Sequence, residues 1–115
     1  MNTQTIPAEQ WPDFFERFSR DHADWPTTIE VLDPSSGPQK VASDVPLQGI
    51  SFDTKGTRSS SLQVSVGAPD GEYTRHVIDL PLNIRQVEEP GGDIDLQVES
   101  AQGPTTLIRV HEPVH

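Results

Sequence analysis

A chain of 115 residues suits one domain spanning 1–115 with a single core, and 32% hydrophobic residues with 11 prolines and 8 glycines call for a thin core and many turns. The formal charge of −10 repels phosphate backbones and anionic bilayers, and no apolar run approaches the roughly 18 to 20 residues of a spanning helix, so neither nucleic acid nor membrane is expected as a partner. The lack of cysteine excludes disulfides, thiolate catalysis and thiolate metal centres, and no cofactor is expected.

The opening Met1 to Pro7 has no basic n-region and no apolar h-region, so a cytosolic, cytoplasmic protein is expected rather than a secreted one. Only Lys40 and Lys55 are lysines, a composition that suits a salty cytosol, where ions screen self-repulsion, and equally suits ordinary acidic solubility.

Five of the seven aromatic residues fall between Trp11 and Trp25. Pro12 fits the first position of a helix, where its missing N–H costs nothing, and Asp13 and Glu16 complement the positive end of the helix dipole. Phe14, Phe15, Phe18 and His22 follow Trp11 at spacings of 3, 4, 7 and 11, one stripe of an amphipathic helix predicted over 12–23. Trp25-Pro26 ends it, because the residue before proline is pushed out of the helical region.

The rest reads as strands and turns. Strands are predicted over 27–32, 40–53, 61–67, 72–80, 94–100 and 105–111, with Leu82, Ile84 and Val87 as a weaker segment after Pro81. Asp33 to Pro38, Pro69-Asp70-Gly71, Glu88 to Gly92 and Ala101 to Pro104 carry turn residues between them. Within 40–53 the apolar parity shifts at Gly49, as at a bulge or bend, and Pro46 marks an edge or kink. The expected fold is α+β: one N-terminal amphipathic helix on a twisted, barrel-like antiparallel sheet of about six strands. No internal repeat divides the chain.

Several short patterns resemble functional motifs. His111-Glu112-Pro113-Val114-His115 matches H-E-x-x-H, but Pro113 falls inside the helix that a zinc site of that kind needs, so the segment is read as a C-terminal tail. Asp53-Thr54-Lys55-Gly56-Thr57 resembles the phosphorylation loop of P-type pumps with lysine and threonine exchanged, and is read as a turn. Ser59-Ser60-Ser61 has no nucleophile elbow around it and is read as loop. Asp93, Asp95, Glu88 and Glu89 offer the oxygen ligands calcium requires, at a spacing that fits no EF-hand, so a solvated acidic face is expected.

Two residues are interaction candidates. His76 can titrate or ligate, or serve as a partly buried hydrogen-bonded ring. Trp25 stands at the helix exit, where one ring face can stay open to a partner, whereas Trp11 is expected in the core.

The residues Ile6-Pro7, Trp11-Pro12, Phe14-Phe15, Arg17 to Arg20 and His22, with Leu47 to Ile50 and Ser100 to Leu107, resemble a family of small bacterial domain-of-unknown-function proteins. The resemblance spans nearly the whole chain and implies a single domain. It implies no activity, cofactor or site residue.

Two functions follow as expectations. The first is a noncatalytic module that contacts a protein partner, or a second copy of itself, through sheet edges or the acidic face. The alternative is a small-ligand or cation binder using His76 and carboxylates at the mouth of the curled sheet. An enzyme comes third, since catalytic residues can converge without a local pattern.

Overall fold

The computed structural model describes residues 2–54, 60–68, 71, 73–101 and 103–113. Strand β1 (Asn2–Thr5) leads through a 3-10 turn to helix α1 (Trp11–Asp21). Seven strands follow: β2 (Pro26–Asp33), β3 (Gly37–Thr54), β4 (Ser60–Gly67), β5 (Tyr73–Asp79), β6 (Pro81–Glu88), β7 (Ile94–Ser100) and β8 (Thr105–Val110). They form one sheet in the order β1-β6-β7-β8-β2-β3-β4-β5, with every neighbouring pair antiparallel.

The α+β class holds, with two corrections. Among the described residues eight strands replace the expected six or so, and the sheet they form is open, bounded by β1 and β5, rather than a barrel. β1 was missed because Asn-Thr-Gln-Thr buries nothing and so has no apolar alternation. The weak segment after Pro81 is a full strand, β6, in which Pro81, Ile84 and Val87 are buried at intervals of three. That spacing arises because a register shift between Pro81 and Asn83 interrupts the alternation, and because Val87 lies on the opposite face from Ile84, beside Asp95.

Helix α1 begins with Trp11 and Pro12 and ends at Asp21, two residues before the expected 23. The His22 N–H still donates to Phe18 O at 3.0 Å, but Asp24 turns left-handed, at φ 68°, and breaks the helix ahead of Trp25-Pro26. Phe15, Phe18 and Trp11 are buried, while Phe14 and His22 sit half-buried on the flank, so the buried stripe is narrower than the spacing alone suggests. The Trp11 indole N–H donates to Ile6 O at 2.9 Å, confirming its core placement.

The 18-residue β3 serves two partners. Gly37 to Pro46 pairs with β2, and Leu47 to Thr54 pairs with β4. Asp44, at φ 51°, lies in the β2-paired part near the changeover, and its N–H is held by Thr28 Oγ1 at 3.2 Å. The ladder to β4 slips between Leu47 and Gly49, where the apolar parity changes in the sequence. Beyond this bend β3 has left β2, and its bare edge is taken by the helix and its exit loop. Asp24 N–H donates to Leu47 O and Leu47 N–H to Trp25 O, both at 2.9 Å. Ser19 Oγ accepts from Ile50 N–H at 2.8 Å.

The inner faces meet in one core cluster. Phe15 and Phe18 from α1, Ile50, Leu62, Val64, Val66 and Ile78 from β3–β5, and Ile29, Ile84, Leu96, Val98, Ile108 and Val110 from the remaining strands are all buried. Each such side chain contributes about 1.5 to 3 kcal/mol of transfer free energy.

Candidate functional site

The sheet ends at β5, whose seven residues pair with β4 from Ser61↔Asp79 to Gly67↔Tyr73. The Leu80 N–H donates to Ser60 O at 2.9 Å. Counting back from that bond in steps of two, Ile78, His76 and Thr74 aim their backbone groups at β4. The N–H and C=O groups of Tyr73, Arg75, Val77 and Asp79 therefore point to the edge away from β4, where the Asp79 C=O already accepts the Ser100 hydroxyl. Opposed residues share a face, so these four side chains continue the outer, polar face made by Ser61, Gln63 and Ser65. Tyr73 and Val77 are 57% and 45% exposed. Side-chain hydrogen bonds with Ser65 and then Arg75 pull the Tyr73 phenol below its usual range.

The inner face of β5 and its free edge together close a cleft of about 180 Å³ lined by Val31, His76, Val77, Asp79, Ser100 and Thr106 among others. His76 lies opposite Val64, on the core side of the strand, and is half-buried. Loss of water pulls its imidazole below the ordinary value of 6.5, so the ring favours the neutral form. The Ser100 hydroxyl donates to Asp79 O at 2.6 Å and Ala101 N–H to Leu80 O at 2.9 Å, which ties the end of β5 to the end of β7.

Trp25 occupies a different surface. Phe14 stacks on Phe18 at 5.8 Å, Phe18 on His22 at 4.1 Å, and His22 meets Trp25 edge-on at 4.6 Å. The His22 Nδ1 lies 2.8 Å from Phe18 O and donates to it in the matching tautomer. Phe14, Phe18 and His22 line a groove closed by Arg17, Asp21 and Gln86. The structure does not bring Trp25 and His76 together into one site, since Trp25 lies at the helix exit beside β2 and β3, inside the sheet order, and His76 lies on the terminal strand β5.

The acidic segment is structural where it is described. Asp93 accepts the Glu112 N–H at 2.9 Å and lies 3.3 Å from His111 Nδ1, while Asp44 lies 3.7 Å from His111 Nε2. Asp95 lies between Val87 and Arg109 on the neighbouring strands. Among the described residues, no three His, Asp or Glu side chains gather as metal ligands. His111, Glu112 and Pro113 follow β8 in non-helical form, and Val114 and His115 of the H-E-x-x-H match lie outside the described residues. So do Lys55 to Thr57 of the pump-like stretch, Ser59 of the serine run, and Pro69, Asp70 and Gln102 of the expected turns. Ser60 and Ser61 belong to β4.

An open antiparallel sheet bounded by β1 and β5, with a helix filling the gap in its bent strand, defines a small α+β protein. The chain belongs to the family of unknown function DUF5335, whose profile matches residues 2–115. A protein of Aquifex aeolicus (strain VF5) described as an uncharacterized protein is 28% identical over 110 residues, 96% of this chain and 93% of that one. The crystal structure of the Bacillus subtilis YojF protein shares the fold with a TM-score of 0.55 at 12% identity, covering 100% of this chain and 99% of that one.

The edge residues Tyr73, Arg75, Val77 and Asp79 were not singled out by the sequence. Their alternation is visible there, but strand order is not, and only strand order makes β5 an edge.

Proposed function

We propose that the protein is a noncatalytic interaction module that takes an extended segment of a protein partner onto the free edge of β5. A cytosolic setting belongs to the same proposal. The observation that supports it is the edge itself, which no strand pairs among the described residues: alternate backbone groups from Tyr73 to Asp79 point away from β4, beside exposed Tyr73 and Val77. Strand addition of this kind draws its affinity from main-chain hydrogen bonds and its specificity from alternate side chains.

The test uses Val77→Pro. A proline there removes an edge-facing N–H and leaves the donors to β4 in place, a position that edge strands tolerate. A partner captured by the wild-type protein and lost with Val77→Pro, while both proteins melt cooperatively, supports strand addition. Equal capture by both overturns it.

A second reading rests on the cleft beside β5, which the half-buried His76 lines together with Asp79, Ser100 and Thr106. It predicts a small ligand that stabilises the wild-type protein and not His76→Gln in thermal-shift screening at fixed ionic strength. Stabilisation of both proteins by every salt alike reports only screened self-repulsion.

A further inference from the structure

We propose that the free edge of β5 pairs with the same edge of a second copy of this chain, in one antiparallel register centred on Val77. The proposal rests on the reading of β5 as an interaction edge and names its occupant.

The edge is self-complementary in charge. On the outer face Arg75 and Asp79 are both exposed and stand two residues either side of Val77. When two β5 strands run antiparallel with Val77 opposite Val77, Arg75 of each copy falls opposite Asp79 of the other. Directly opposed opposite charges stabilise a strand pair and like charges destabilise it. The two-fold axis therefore places two ion pairs around one apolar contact.

The backbone agrees with the same register. The residues whose N–H and C=O groups point outward are odd-numbered, and a two-fold centred on Val77 pairs odd residues with odd residues; the Asp79 C=O, which already accepts the Ser100 hydroxyl, has a second lone pair for the Arg75 N–H of the other copy. The outer faces of the two sheets then continue across the junction, and His76 falls opposite Ile78 on the inner side. The other sheet edge offers no equal: β1 is four residues long and carries no charge. Pairing of β5 with β1 of another copy would also propagate head to tail, whereas β5 with β5 closes at two.

Two terms oppose the contact and set its strength. A single strand pair buries less than the roughly 1,200 Å² of a standard stable interface, so the dimer belongs to the weak, transient class. Each copy also carries −10, a repulsion that acts beyond the edge and is screened at moderate ionic strength. Association is therefore expected to strengthen as salt is raised from very low values.

Sedimentation equilibrium of the full chain across a wide concentration range tests the register. The wild type is expected to show a monomer–dimer equilibrium, with no larger species. Arg75→Asp and Asp79→Arg, each placing like charges opposite one another, are expected to raise the dissociation constant by about tenfold or more. The double variant Arg75→Asp with Asp79→Arg restores both pairs and is expected to return it to near the wild-type value. Amide exchange supplies an independent readout: Arg75, Val77 and Asp79 become protected with rising concentration, which folding of the monomer alone does not produce.

A monomer at every concentration overturns the dimer, as do open-ended polymers, or a double variant no better than the single ones. If the dimer fails while Val77→Pro still abolishes capture of a different protein, the interaction-edge reading survives without it. If neither Val77→Pro nor the charge variants change any association, both fail.

Discussion

Ser19 of α1 and Ile50 of β3 are joined through a single hydroxyl. The Ser19 oxygen accepts the Ile50 N–H at 2.8 Å, and its one proton lies between Ile50 O at 3.0 Å and Phe15 O at 2.7 Å. Ile50 is buried, and its backbone faces the side of β3 that β2 has left. The helix thus supplies through a side chain what a neighbouring strand would supply through its backbone.

Ser19→Ala is therefore expected to cost about 1 to 3 kcal/mol, the penalty for stranding a buried backbone group, despite the better helix propensity of alanine. Urea unfolding monitored by circular dichroism measures it. Stability unchanged within error would show that the edge of β3 does not depend on this hydroxyl.

Phe18 is buried, stacked between Phe14 and His22, and belongs to the core cluster. Phe18→Ala is expected to destabilise by about 3 to 5 kcal/mol, a large share of the roughly 5 to 15 kcal/mol available to a domain. A thermal melt that shifts by no more than a degree or two would contradict the docking of α1 described above.

His76 gives stability a pH dependence of known sign. Burial lowers its folded pKa below the ordinary 6.5, so the unfolded chain binds the proton more readily. This contribution is fully present above about pH 6.5 and is lost as the pH falls through the lower folded value. His76→Gln removes that component, so the difference between the two proteins' stabilities should change across this window and level off above it. Parallel stability curves through the window would contradict burial of the ring.

Asp93 and Asp95, two residues apart, are pushed in opposite directions. The Glu112 backbone N–H, and after it His111, hold Asp93 below the usual carboxylate range, whereas burial pushes Asp95 up, against the pull of Arg109. Asp93 therefore adds stability above its unfolded pKa that is lost on acidification, while the ionised form of Asp95 is disfavoured in the folded chain as the pH rises. At neutral pH, Asp93→Asn is expected to lower the melting temperature and Asp95→Asn to leave it unchanged or raise it. A lower melting temperature for Asp95→Asn would show that its attraction to Arg109 outweighs the loss of water.

The elements with strong local patterns were legible. The aromatic stripe located α1 to within two residues, Asp33 to Pro38 marked the β2–β3 turn, and the parity change at Gly49 located the bulge. β1 was not legible as a strand, because it buries nothing, and β6 was legible only as a weak segment, because its alternation is broken between Pro81 and Asn83. Leu82, which reads as core from its type, is 66% exposed. For the candidate site the sequence singled out His76 but not the edge it belongs to. Its chemistry is local, whereas an edge is a property of strand order, which depends on pairings as distant as Thr27 with Val110.

That distant pairing also dictates an order of assembly. β2 is flanked by β3, its sequence neighbour, and by β8, more than seventy residues further on. The β2–β3 and β4–β5 hairpins can form from short loops, whereas β2 gains its second partner only when β8 has been made, after a costly long-range closure. During synthesis the β2 edge therefore stays open until nearly the whole chain has emerged, and the nascent protein carries an unpaired strand that its finished form conceals.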